Sequence, residues 1–105
     1  MFEIKASERN VDGKTVYTFQ REVCCCNILE VEAGTNGYHG GDSGHGSRTY
    51  FRVTDIGGTD MEVHSGEDKY GQAYFEVMLG GDSELRTIIE ALEFITQCLK
   101  DEVND

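Results

Sequence analysis

The residue types best suited to chemistry gather between Gly34 and Arg48, in the run Gly-Thr-Asn-Gly-Tyr-His-Gly-Gly-Asp-Ser-Gly-His-Gly-Ser-Arg. Six of the thirteen residues from Gly34 to Gly46 are glycine. Glycine accepts positive φ and lets the backbone approach a ligand closely. Successive backbone N–H groups then form a nest for an anion. Arg48 offers a bidentate contact to phosphate or carboxylate. His39 and His45 offer donors or a proton shuttle, and Tyr38 offers a face on which a base can stack. Asp42 and Ser43 complete a predicted ligand-binding set of Tyr38, His39, Asp42, Ser43, His45 and Arg48 for a small anion such as a phosphorylated metabolite or a nucleotide.

Gly41-Asp42-Ser43-Gly44 resembles the nucleophile segment of chymotrypsin-like proteases. That segment continues with a second glycine, where this chain has His45. The family also needs two β-barrels, and 105 residues are too few for them. A base near Ser43 is conceivable from His39 or His45, but a triad on a glycine loop lacks the rigid support that catalysis requires. No catalytic residue is assigned, and a non-enzymatic protein is expected. No nucleotide fingerprint is matched either, because a strand rather than a helix follows the loop.

Charge gives the leading expectation. Lysine and arginine total 9 against 20 aspartates and glutamates, a net charge of −11. Residues 1–23 carry four acids and four bases, so the rest of the chain holds the whole excess. Such a chain has no basic footprint for nucleic-acid phosphates. It is suited to steering a basic macromolecular partner, for instance the nucleic-acid-binding surface of another protein. An immunity protein against a toxin, or a phage inhibitor of a nuclease, fits that description. No apolar run approaches the ~18 residues of a membrane helix, and no signal peptide stands at Met1, so a cytoplasmic protein without membrane partners is expected.

Cys24, Cys25 and Cys26 are consecutive, and Cys98 stands alone. Neighbouring cysteines in an extended chain point to opposite faces and do not readily pair. The run lacks the C-x₂₋₄-C spacing of a zinc site. Reduced thiols packed as small hydrophobes are expected, with no metal and no cofactor.

The elements that must position these residues follow from periodicity. Alternation of apolar and polar residues predicts six short strands within residues 2–79, beginning at Phe2, Ile4 and Ala6. Asp12-Gly13 and Gly57-Gly58 mark turns between them. Asp82 or Ser83 is expected to cap a helix from about Ser83 to Lys100. Its apolar stripe is Leu85, Ile88, Ile89, Leu92, Ile95 and Leu99. The expected fold is a single α+β domain, an antiparallel sheet of five to six strands packed on the C-terminal helix, with the tail from Asp101 to Asp105 frayed. Phe94 falls opposite Leu85, on the polar side of the helix, where it could contact a second subunit.

The polar parity of the strands places Glu30, Glu32, Tyr50, Arg52, Glu62 and Tyr74 on the outer sheet face, together with His64 and Glu76. With Phe94 they form the expected partner-binding set, in a monomer or a homodimer. The segment from Gly34 to Val53, with Gly-Gly-Asp-Ser-Gly-His-Gly and Arg-Thr-Tyr-Phe-Arg, resembles stretches of small proteins without an assigned activity from Gram-positive bacteria and their mobile elements. That resemblance implies a bacterial or phage cytosolic protein.

Overall fold

The structure is a computed structural model that describes residues 3–24, 27–37 and 47–103. All six expected strands and the helix are present: β1 (Lys5–Val11), β2 (Lys14–Cys24), β3 (Ile28–Thr35), β4 (Thr49–Gly57), β5 (Met61–Glu67), β6 (Ala73–Leu79) and α1 (Asp82–Val103). Phe2, expected to open the first strand, lies outside the described residues. The strands divide into an antiparallel four-stranded meander, β1-β2-β3-β4, and a separate hairpin, β5-β6.

Local chemistry explains the connections. Asp12 and Gly13 have φ of 54° and 83°, the double positive φ of a tight hairpin turn that joins Val11 to its partner Lys14. Gly34 lies where β3 crosses β2 closely, and a Cβ there would run into the Tyr17 carbonyl and Thr18. The α1 cap differs from expectation. Leu85 N–H donates to the Gly81 carbonyl at 3.1 Å, so Gly81 (φ 109°) takes the cap position instead of Asp82 or Ser83. Glu84 then reaches back from the first turn to accept from Asp60 N–H at 3.3 Å, tying the helix start to the entry of β5.

The core lies between one face of β2 and β3 and one face of α1. Val23, Leu29, Val31 and Ala33 meet Ala91, Phe94, Ile95 and Cys98. This corrects the expected helix orientation. Phe94 is buried at 9% exposure, while Leu85, Ile89 and Leu92 are 47–56% exposed. Of the expected stripe, Ile95 is buried and Ile88 and Leu99 are half-buried. The helix is turned by about 100°, one residue step, from the apolar stripe. The reason is steric and polar together. Thr87 and Ala91 are small enough to sit fully buried against the sheet. Thr87 also donates its hydroxyl proton to Asn27 Oδ1 at 3.0 Å or to the Ser83 carbonyl at 2.9 Å. That buried polar contact fixes the rotation, and Phe94 fills the space beside it.

Candidate functional site

The sheet face away from α1 was expected to be an open docking surface, and its centre is closed. Glu32 is 2% exposed. It accepts from Arg9 Nε at 2.8 Å, from Arg9 Nη2, from Thr18 Oγ1 at 2.6 Å and from Gln20 Nε2 at 3.1 Å. The Arg9 hydrogen bond outweighs desolvation and holds the Glu32 carboxyl below its ordinary value of 4.5. The same bond raises the Arg9 guanidinium further above its already high value. Arg9 also lies 5.3 Å from the centre of the Tyr50 ring. Glu32, Arg9 and Tyr50 thus form a staple across β1, β3 and β4 instead of a contact surface. Glu30 is half-buried on the same face, and Arg52 is exposed.

Glu62 and Tyr74 lie on the exposed hairpin. His64 bridges Glu62 at 3.0 Å and Glu76 at 3.8 Å, a cross-strand cluster open to solvent. Of the glycine-rich set, Tyr38, His39, Asp42, Ser43 and His45 lie outside the described residues, as do Cys25 and Cys26. Arg48 is described and half-buried. Its Nε donates to Asp12 Oδ2 at 3.1 Å, its Nη1 to the Ser47 carbonyl at 2.9 Å, and its backbone N–H to Asn36 Oδ1 at 2.7 Å. These contacts tie the end of the segment to the β1–β2 turn.

The strongest combination of concavity and charge lies elsewhere, between β2 and the C-terminal half of α1. This cleft has a volume of about 940 Å³. Its floor is apolar, made by Ile4, Phe19, Val23, Phe94 and Cys98. Four acids of α1, Glu90, Glu93, Asp101 and Glu102, line it with the base Arg21 of β2. Glu22 borders it, but its side chain shares the strand face of its partner Glu30, away from α1. Gln97 donates to Asp101 Oδ1 at 2.7 Å, one turn along the helix. Burial, then Asp101 and Glu102, push the Cys98 thiol up to about 11, which favours the neutral thiol at neutral pH.

The sequence contained a signal for this cleft. Glu90, Glu93, Gln97 and Asp101 recur at three- and four-residue spacing and so share one helix flank. Arg21 pairs with Val31 and faces the helix side of the sheet. The signal was masked by rotating α1 toward its largest apolar stripe. Among the described residues, no group of three or more histidines, cysteines or acids is assembled to hold a metal ion. No described helix is long and apolar enough to cross a membrane. Comparison with protein-family models, with curated proteins and with solved structures gave no significant match.

Proposed function

We propose that this chain is a non-enzymatic binding protein that docks on a basic protein partner through the cleft between β2 and α1. The observation that carries this reading is an apolar floor lined on its helix side by Glu90, Glu93, Asp101 and Glu102, with the Arg21 guanidinium on the strand side. A lysine or arginine is built in the same two parts. Its aliphatic stem lies on apolar surface while its charged head reaches a carboxylate. Arginine adds a fork that matches a carboxylate in two hydrogen bonds.

The wider charge supports the same partner. From Thr49 to Val103 there are twelve acids and four bases. A field of that sign draws in a cationic surface and speeds encounter, more than it strengthens the final complex. Inhibition of a basic protein, as by an immunity protein or a phage inhibitor of a nuclease, is the biological role this chemistry suits.

Selection of random peptides displayed on phage tests the reading with the protein alone. Selected sequences are expected to be rich in lysine and arginine interleaved with apolar residues. They should bind the Glu90→Lys/Glu93→Lys/Asp101→Lys variant at least about tenfold more weakly and lose affinity as salt is raised. Selected peptides without basic enrichment, or equal binding to the charge-reversed variant, would count against it.

A further inference from the structure

The flank of α1 away from the acidic cleft borders a second concavity of a different character. A groove of about 710 Å³ runs between β4, the β5–β6 hairpin and α1. Its lining includes Phe51, Val63, Phe75, Val77 and Leu92, and among the described residues Arg52 is its one charged residue. The apolar surface continues along the helix to Ile89. These six apolar side chains are 40–64% exposed.

The strand β6 is the most telling part. Its sequence, Ala-Tyr-Phe-Glu-Val-Met-Leu, is apolar at six of seven positions. Such a run is the pattern of a strand covered on both faces. Yet Tyr74, Phe75, Val77 and Met78 are all at least 40% exposed. Among the described residues, the ladder of β6 pairs only with β5, and no strand joins the hairpin to the larger sheet. A two-stranded hairpin is marginal in water without further packing.

We infer that this face is covered by a second copy of the same chain, in a homodimer that buries the β5–β6 hairpin and the exposed stripe of α1. Area supports a stable contact. Six half-exposed side chains of this size leave on the order of 500–600 Å² open, the upper end for a monomer's largest patch and much of the ~800 Å² each partner gives to a standard interface. Charge permits this occupant. Two chains of −11 each repel over most of their surface, but among the described residues the groove lining holds no acid, and Glu93 stands only on its extension along α1. Two copies can therefore meet here, and the acid-rich cleft stays on the other flank of α1. A two-fold axis makes such a contact from one patch on each copy.

Sedimentation equilibrium of the full chain over a range of concentrations and salt tests the inference. A monomer–dimer equilibrium is expected, and it should shift toward dimer as salt screens the repulsion, opposite to the salt response of a cationic partner. Phe75→Ser and Leu92→Glu should each raise the dimer Kd at least about tenfold. Both sites are exposed in the single chain, and an unchanged far-UV circular dichroism spectrum at low concentration would show that the variants still fold. Backbone amides of β5 and β6 should exchange more slowly at high protein concentration. The inference is overturned if the wild-type chain stays monomeric at high concentration and high salt. It is also overturned if a dimer forms that neither substitution weakens.

Discussion

At the scale of single residues, Glu32 shows how an acid can be placed on the expected face and still be unavailable to a partner. Strand parity puts it away from α1, as read from alternation, but four hydrogen bonds from Arg9, Thr18 and Gln20 enclose it. Periodicity reports the side of a strand and not what lies over it. The cover comes from Arg9, 23 residues away in sequence, which no local pattern could supply. Glu32→Gln is expected to destabilise the protein by about 2–3 kcal/mol at neutral pH, because a charged hydrogen-bond acceptor is lost while Arg9 keeps partial exposure and solvent screening. The sign of the pH dependence follows from the lowered carboxyl. The folded form binds its proton less readily than the unfolded chain, whose carboxyl titrates near 4.5. The stabilisation is therefore complete above that value and is lost as pH falls through the lower folded value. Urea unfolding of wild type and Glu32→Gln across this range should show the gap closing in acid. A gap that stays constant would contradict the role given to the carboxylate.

At the scale of elements, strand and helix existence was legible because period-two alternation and a long apolar helix are strong local signals. The Asp12-Gly13 turn was legible for the same reason. The rotation of α1 was not, because the helix is apolar on more than one flank. The stripe from Leu85 to Leu92 is the larger, and counting it leads to the wrong face. Thr87, Ala91 and Cys98 contribute little to such a count, yet their small size lets the helix lie close to β3. Division of the strands into a meander and a hairpin was also beyond the alternation pattern, which fixes faces and not partners. Stability measurements separate the two orientations. Phe94→Ala should cost about 3–5 kcal/mol as a buried aromatic. Leu92→Ala, in dilute protein, should stay within about 1 kcal/mol because the side chain is half-exposed. The reverse ranking would restore the Leu85–Leu92 stripe to the core.

At the scale of the whole molecule, the chain is flat, with extents of 43 × 42 × 20 Å. Its radius of gyration is 15.2 Å, where a compact domain of this length has roughly 13 Å. A single helix is too narrow to cover six strands, so surface remains on both of its flanks. One flank is acidic with an apolar floor and the other is apolar with almost no charge. The excess of acid was legible in the composition. Its location was not, since it depends on which helix flank meets β2. The two proposed complexes are expected to respond oppositely to salt, which lets them be told apart in one titration.

The most direct test of cation docking in the cleft between β2 and α1 is a residue-resolved NMR titration of the labelled chain with a short peptide alternating lysine and leucine. Saturable shifts are expected at Phe19, Val23, Glu90, Glu93, Gln97 and Asp101, weakening as salt rises. Shifts confined to the exposed hairpin cluster of Glu62, His64 and Glu76, or spread evenly over every exposed acid, would contradict it.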